Sequence, residues 1–314
     1  MRPPRLLVAV LVLVGTQMLM LIYTKRATSS ARLPLLLCLA QFSASALLAG
    51  ACSLFSAGAA LPWAPRSLWV VIAPLSLVWT AGFVLFNASA TLMSPALVSL
   101  VRCMEPLATV CVGFAVGSEC YSLRVLATLV PICGGVILAS STGGSLSAGG
   151  ACLALLSNVC FSLRPFFKRR LKTHPANTLD TMGEFFNVTL IASVALLPPA
   201  VALLEGAALQ PALSRLSDAG QLMRFGVDVA LSSVCFFLYQ YTQMAIMSSL
   251  SPLAFSVLTP VVKALMIVAC SYWFGDPFTA LTAIGVVLSA GGGYLFSQVL
   301  AAEQKRAPAA PKLR

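Results

Sequence analysis

Long apolar runs, separated by charged residues, glycine or proline, fill almost the whole chain of 314 residues. A helix needs about 20 apolar residues to span the hydrocarbon core of a bilayer. The pattern predicts ten such helices, at approximately 6–23, 33–55, 68–87, 92–116, 122–141, 149–167, 179–203, 225–247, 250–274 and 277–299. We therefore predict an all-α, polytopic protein with one membrane domain over residues 1–300 and a disordered, cytosolic tail over residues 301–314.

The fourth and fifth runs resemble the ninth and tenth, which indicates an internal repeat. LMSPALVSLVRCMEP and SLSPLAFSVLTPVVK share a Ser-Pro start and a basic residue further along. Glycines downstream match at a constant offset of 158: Gly117 with Gly275, Gly134 with Gly292 and Gly135 with Gly293. Each half, 6–141 and 149–299, holds five spans, so the second half must be inverted. Inverted repeats place a binding site near the membrane midplane between the halves.

Composition supports the membrane assignment and narrows the partners. The chain is 59% hydrophobic and only 9% charged, with a mean hydropathy of +0.93. Membrane lipid is therefore a partner, and a homodimer is one assembly that the sequence leaves open. The net charge of +11 lacks the aromatic-interleaved basic face that nucleic-acid binding needs. The ten cysteines contain no CxxC pair, and we interpret them as small buried residues without metal or redox chemistry.

The distribution of the 20 basic residues predicts the orientation. With ten spans both termini lie on one side, where twelve Lys and Arg residues fall, against five in the opposite loops. The positive-inside rule then places both termini in the cytosol. A cleaved signal peptide over the first run is the alternative, and it would leave an odd number of spans.

Three basic residues remain, and all three lie inside predicted spans: Arg102, Arg164 and Lys263. A cation at the centre of a span costs at least about 2.5–3.5 kcal/mol unless it is paired or faces a wet cavity. Arg102 can pair with Glu105 three residues along the same helix, or line a cavity. Arg164 can extend towards the basic cluster 168–172, or line a cavity.

Lys263 has no acidic residue within four positions on either side. The other carboxylates inside spans, Glu184 and Asp228, lie near the ends of theirs. We therefore predict that Lys263 is an uncompensated cation at membrane depth that receives an anionic ligand.

Polar and proline residues complete the predicted site. The eighth span contains FFLYQYTQ, whose Tyr239, Gln240 and Tyr241 can bind a hydroxylated ligand or contact a neighbouring helix. Pro106 and Pro260 interrupt the two repeated helices, and we assign them, with Glu105, a structural or coupling role.

Three functions are compared on these residues. A secondary antiporter of anions matches the unpaired basic residue. A membrane-embedded enzyme lacks support, because the single histidine, His174, has no HExxH context and no paired carboxylates. An exporter of cations or amphiphiles would require acidic residues in the core. No Walker-type loop is present, which argues against an ATP-driven pump.

Four segments, SPALVSLVRCMEP, SNVCFSLRPFFKRRL, LLPPAVALLEG and FFLYQYTQ with SPLAFSVLTPVVKALM, carry a resemblance over nearly all ten spans. The chain resembles the phosphate-translocator and nucleotide-sugar-transporter branch of the drug/metabolite transporter superfamily, most of all the triose-phosphate translocators. The resemblance places Arg102 at the usual lysine, Tyr239 at the family tyrosine, and Arg164, Arg169 and Arg170 in the family's basic stretch.

Two family positions differ in this chain. Ser99 stands where the family has histidine, and Val262 stands at the phosphate-binding lysine, which leaves Lys263 at the adjacent arginine. The resemblance implies exchange of a phosphorylated sugar or nucleotide sugar for inorganic phosphate or a nucleoside monophosphate, by alternating access and without a cofactor. A drug/metabolite exporter with a non-phosphorylated substrate is the alternative. We expect a Golgi or ER membrane rather than the plastid inner envelope.

Overall fold

The computed structural model describes residues 3–31, 33–57, 61–116, 121–140, 147–204, 211, 214, 218–249, 252–276 and 278–306. Over these residues the chain is helical, without a strand. The helices are α1 Pro3–Ala31, α2 Pro34–Ala57, α3 Trp69–Leu92, α4 Pro95–Val101, α5 Glu105–Val116, α6 Leu123–Ala127, α7 Leu129–Ser140, α8 Ala148–Thr173, α9 Thr181–Pro198, α10 Ala219–Ser249, α11 Pro252–Phe274 and α12 Ala280–Arg306.

The predicted all-α membrane fold is confirmed. Among the described residues, nine helical segments are long and apolar enough to cross a bilayer, and the apolar stretch Leu258–Phe274 of α11 supplies a shorter tenth. The division into two inverted halves stays a prediction.

Several helices extend beyond the predicted spans. α1 reaches Ala31 and α8 reaches Thr173, so basic residues that we placed in loops lie on helices. The gap between the spans predicted at 68–87 and 92–116 lies further along the chain, because α3 continues to Leu92 and α4 begins at Pro95. At the carboxyl end α12 continues to Arg306, so the tail expected from residue 301 begins as helix, and residues 307–314 lie outside the described part.

The fourth span is broken by a 3₁₀ turn, Arg102–Met104, between α4 and α5. Pro106 explains the break, since it has no N–H to donate to the carbonyl of Arg102, which a continuous α-helix would require. Pro95 starts α4 after the N-cap Ser94, a favourable position for proline rather than an interruption. Pro260 lies inside α11 without ending it.

Helices pack in pairs along the bundle: α3 with α8, α1 with α10, α7 with α12 and α2 with α9. Small polar side chains connect α3 to α8 in an antiparallel arrangement. Ser89 Oγ donates to the Gly150 carbonyl at 2.8 Å, and Ser157 Oγ donates to the Gly82 carbonyl at 2.8 Å. The end of α3 therefore lies beside the start of α8, which fixes the two ends of the bundle.

The prediction that the cysteines are small buried residues is confirmed only in part. None of the nine described cysteines forms a disulfide, and Cys38, Cys103, Cys235 and Cys270 are buried. Cys111 and Cys152 are exposed on the outside of the bundle, so the prediction of a buried position was wrong for them. Cys120 lies outside the described residues.

Glycine brings the backbones of α7 and α12 together. A Cβ added to Gly135 would lie 2.5 Å from the Gly285 carbonyl oxygen and 2.6 Å from the Ser289 nitrogen. Gly134, one position earlier, has no atom within 4 Å of the same imagined Cβ. Close approach at one of two adjacent glycines therefore fixes the α7–α12 contact.

Gly135→Ala should destabilise the protein, because the added methyl group meets backbone atoms that cannot move aside. Overpacking of this kind costs about 1–3 kcal/mol, which lowers the midpoint of thermal unfolding by several degrees. The measurement is thermal unfolding of purified protein in detergent. Gly134→Ala is the matched control and should keep the wild-type midpoint. Equal midpoints for the two variants would contradict this packing.

Candidate functional site

A cavity of about 500 Å³ lies between the helices, well within the range of ligand-binding pockets. The cavity is lined by the broken fourth span (α4, the 3₁₀ turn and α5), by α11, and by α1, α3, α8 and α10. The lining residues are Leu13, Gln17, Phe83, Ser99, Arg102, Glu105, Phe161, Arg164, Pro165, Lys168, Arg169, Lys172, Thr173, Tyr239, Gln243, Met244, Leu258, Thr259, Val262, Lys263 and Met266. Exposed residues of the last turns of α8, including Arg169 and Lys172, line one end, so this end reaches solvent.

At the opposite end of the bundle, Lys25 on α1 connects that helix to the end of α3. The Lys25 ammonium donates to the carbonyls of Ala90 at 2.7 Å and Met93 at 3.4 Å, at the carboxyl end of α3. A cation at this position caps carbonyls that lack a partner within the helix. The cavity is accessible from the end of the bundle that carries residues 168–172.

Lys263 faces this cavity, but the prediction that it is unpaired was wrong. Its Nζ lies 2.9 Å from Glu105 Oε2 and donates to the Arg102 carbonyl at 3.0 Å. The sequence-based search failed because the carboxylate comes from another helix, 158 positions away. The pair is not sealed off, since 23% of the Lys263 side chain and 30% of the Glu105 side chain are exposed.

The break in the fourth span explains the second contact of Lys263. The Arg102 carbonyl receives the Glu105 N–H across the 3₁₀ turn, but no N–H from Pro106. A carbonyl oxygen has two lone pairs, and the Lys263 ammonium takes the remaining one. Pro106 therefore contributes to holding Lys263 at the centre of the bundle.

Arg102 does not form the ion pair with Glu105 that we considered. Its guanidinium lies over two aromatic rings, 5.0 Å from the Phe86 centroid and 4.6 Å from the Phe161 centroid. These contacts are cation–π interactions, which stabilise a desolvated guanidinium. Its buried Nε has no hydrogen-bond partner among the described residues.

Arg164 lines the same cavity, and its guanidinium lies 5.4 Å from the Phe161 ring centroid. The cavity-facing alternative therefore describes its position. Two arginines thus contact one ring, Phe161, and both lie within electrostatic range of Glu105.

Lys168 was missed as a cavity residue, because its place in the run 168–172 indicated a solvated cytosolic cluster. It lines the cavity and pairs with Glu184 at 3.0 Å, with 15% and 13% of the two side chains exposed. Helical spacing could have found it, because Phe161, Arg164, Lys168 and Lys172 follow one another at three or four positions on one face of α8.

The other carboxylate considered as a partner of Lys263 is also used elsewhere. Asp228 on α10 lies 3.4 Å from Arg26 Nε on α1. Both carboxylates near span ends are therefore neutralised by basic residues at the same depth.

The polar residues of α10 lie in three different environments: the main cavity, a smaller pocket and the outer face of the bundle. Tyr239 and Gln243, one helical turn apart, line the cavity. Gln240 does not: it is buried in a smaller pocket with Arg164 and Glu184, and its Nε2 has no partner among the described residues. Tyr241 lies on the outer face, 37% exposed and stacked on Phe237. Of the two alternatives, lining of the main cavity does not describe Gln240 or Tyr241, because helical rotation turns both away from it.

Ser99 and Val262 also line the cavity, whereas Pro260 does not. Ser99 lines the cavity, with its Oγ donating to the Pro95 carbonyl at 2.8 Å. Val262 also lines it, as a largely buried side chain. A Cβ added to Gly293 of α12 would lie 3.4 Å from the Pro260 ring, so Pro260 packs against α12. No group of three or more His, Cys, Asp or Glu residues that could hold a metal occurs in the described ranges.

Comparison with known proteins identifies relatives among plastid carriers. The chain is 31% identical to phosphoenolpyruvate/phosphate translocator 3, chloroplastic, of Oryza sativa subsp. japonica, over 75% of this chain and 60% of that protein. It is 27% identical to the triose phosphate/phosphate translocator, non-green plastid, chloroplastic, of Brassica oleracea var. botrytis, over 88% and 68%. The match thus spans roughly 60% of the length of the first of these relatives.

The crystal structure of another protein is similar over 95% of this chain and 98% of the other chain, with a TM-score of 0.50 and 15% sequence identity. This similarity supports the fold alone. The sequence model of the Triose-phosphate Transporter family matches residues 5–297, nearly the whole chain. This chain therefore belongs to the triose-phosphate transporter family, a family of multi-pass membrane transporters.

Proposed function

We propose that this protein is a secondary antiporter that exchanges a phosphorylated metabolite for inorganic phosphate through the cavity between its helices. The observation that carries the proposal is the charge of the cavity. In the inner part of the cavity Arg102, Arg164 and Lys263 contribute three positive charges against the single carboxylate of Glu105, which leaves +2, and Arg169 and Lys172 add two more at the end that reaches solvent. Lys168 is balanced by Glu184 and does not change this sum.

A phosphate group matches this charge. A phosphate monoester carries about −1.5 to −2 charges near pH 7 and three acceptor oxygens. Arginine guanidinium groups bind such oxygens through charge-assisted, often bidentate hydrogen bonds. The buried, unpartnered Nε of Arg102 and the partly exposed ammonium of Lys263 belong to side chains that line the same cavity, and we propose that both bind one phosphate.

The rest of the cavity has room for the organic part of a substrate. Its volume of about 500 Å³ exceeds the needs of a phosphate alone, and Tyr239 and Gln243 supply hydrogen-bonding groups on one wall. Relatives named for phosphoenolpyruvate, triose phosphate and xylulose 5-phosphate support a phosphorylated small metabolite as substrate. Because Val262 provides no charge, we rank triose phosphate below pentose phosphate, hexose phosphate and phosphoenolpyruvate.

We propose that transport proceeds by alternating access, since the cavity reaches solvent at the end that carries residues 168–172 and release on the other side requires a second opening. The contact of Lys25 with the carboxyl end of α3 lies towards that other side, and we propose that it opens. Nucleotide sugars, with a nucleoside monophosphate as counter-substrate, are the second substrate class, and the cavity volume favours testing them in the same assay.

Lys263→Ala should abolish exchange. The assay loads liposomes containing the protein with inorganic phosphate or a nucleoside monophosphate, and offers sugar phosphates, phosphoenolpyruvate and nucleotide sugars outside. We expect wild-type protein to take up at least one phosphorylated compound in exchange for internal phosphate, with at least a tenfold loss in the variant, because the site loses its central ammonium group. Undiminished uptake by a folded variant would remove the proposed site. Uptake of a non-phosphorylated solute alone would favour the exporter alternative.

Two tyrosines on one helix give a matched pair. Tyr239→Phe should weaken exchange several-fold, since it removes a hydroxyl from the cavity wall. Tyr241→Phe removes the same group from the outer face and should leave the rate unchanged. Initial exchange rates over a range of external substrate concentrations measure both. Equal losses, or a loss only in Tyr241→Phe, would contradict the orientation of α10.

We propose further that both termini face the cytosol, supported by the excess of basic residues on that side. The end of the cavity that reaches solvent would then be cytosolic. The chloroplastic names of the relatives count against the Golgi or ER membrane that we expected. Tags on each terminus should be protected or labelled together when the plasma membrane is selectively permeabilised, with labelling from the cytosol. Labelling of one terminus from the opposite side would contradict an even number of spans.

A further inference from the structure

We propose that Glu105 is a tethered competitor of the substrate: in the empty carrier its carboxylate occupies the position on Lys263 that a phosphate group takes on binding. The inference rests on the proposed function, since it assigns a role to a carboxylate within the proposed phosphate site. It concerns the affinity of that site, which the proposed function leaves open.

The first support is the geometry of the ion pair. Glu105 Oε2 lies 2.9 Å from Lys263 Nζ, and the Arg102 carbonyl lies 3.0 Å from the same nitrogen. An ammonium group has three N–H donors, so two are used by these acceptors. The carboxylate is the only anion of the two, and it therefore occupies the contact that an incoming anion needs most.

The second support is access to the pair. Both side chains line the cavity that reaches solvent, with 23% of Lys263 and 30% of Glu105 exposed. Water that reaches the pair screens the two charges in part, so the pair is weaker than it would be in a sealed interior. Separation of these two groups by an anion from solution therefore costs less than separation of a sealed pair.

The third support is the advantage of phosphate over the carboxylate. A phosphate group carries up to about −2 charges, against −1 for a carboxylate, and it offers more acceptor oxygens. Arg102 Nε, which is buried and without a partner among the described residues, lies within the same cluster and is not used by Glu105. A phosphate bridging Lys263 and Arg102 thus gains a contact that the internal anion does not make.

Displacement of Glu105 also changes a contact between helices. The pair joins α5 to α11, and its members lie 158 positions apart, the same offset as the matched glycines of the predicted repeat. Substrate binding would therefore replace a direct ion pair between the two predicted halves with a phosphate that contacts both, while Lys263 can keep its bond to the Arg102 carbonyl. Occupancy of the site thus determines which anion connects the halves.

The test is equilibrium binding of radiolabelled inorganic phosphate to the purified full-length protein. A competitor that occupies the site about nine-tenths of the time weakens the apparent affinity about tenfold. Glu105→Gln keeps the size of the side chain and removes its charge, so we expect the Kd for phosphate to fall about tenfold.

Glu184→Gln is the matched control, because it removes one negative charge from the partner of another cavity lysine, Lys168. A general effect of net charge would strengthen phosphate binding in both variants alike. Competition at Lys263 predicts a clearly larger effect for Glu105→Gln. Equal effects in the two variants would overturn the inference.

An unchanged or weaker affinity in folded Glu105→Gln protein would also overturn it. If this variant does not fold, Glu105→Asp decides instead: its shorter side chain keeps the charge but withdraws it from Lys263, so tighter phosphate binding is expected and an unchanged Kd refutes competition. Absence of phosphate binding and of exchange in the wild type would refute the proposed function, and the inference with it. Wild-type exchange with an unchanged Kd in Glu105→Gln refutes the inference alone.

Discussion

A positive charge among apolar helices needs a compensating partner within reach, and the organisation of the cavity follows from this requirement. Lys263 is held by Glu105 and by the carbonyl of Arg102, while Arg102 itself lies on the faces of Phe86 and Phe161. Both cations line the cavity, where part of the Lys263 side chain is exposed and the buried Nε of Arg102 has no partner among the described residues. The proposed binding of an anion at this site rests on these two features.

Elsewhere in the bundle the same requirement is met more completely. Glu184 neutralises Lys168 in a pair that is less exposed than Glu105–Lys263, and Lys25 caps the carbonyls at the end of α3. These contacts position helices, whereas the central cations face open volume. The difference in compensation, rather than the presence of basic residues, distinguishes the proposed binding groups from structural ones.

The fold could be predicted from the sequence because hydropathy reports directly on membrane spans, and the ten runs correspond to the observed helices. The predicted helix boundaries were wrong where a helix continues past its apolar stretch into polar residues, as α1 and α8 do. The candidate site could be predicted in part, since Arg102, Arg164 and Lys263 are isolated by their charge within apolar runs, and all three line one cavity. Tyr239 and Ser99 line it as well.

The failures have a common physical cause: partners that are distant in sequence. A search within four residues of Lys263 could not find Glu105, which approaches from another helix. The direction of Gln240 and Tyr241 depends on the rotation of α10 about its axis, which a run that is polar on several faces does not define. Lys168 was assigned to a loop because the predicted span ended one position before it.

The most direct test of the central claim is an experimental structure of the protein with bound inorganic phosphate. The account predicts phosphate oxygens within hydrogen-bonding distance of Lys263 Nζ and the Arg102 guanidinium, with Glu105 withdrawn from its 2.9 Å contact with the lysine. A phosphate bound elsewhere in the cavity, with the Glu105–Lys263 contact intact, would contradict it.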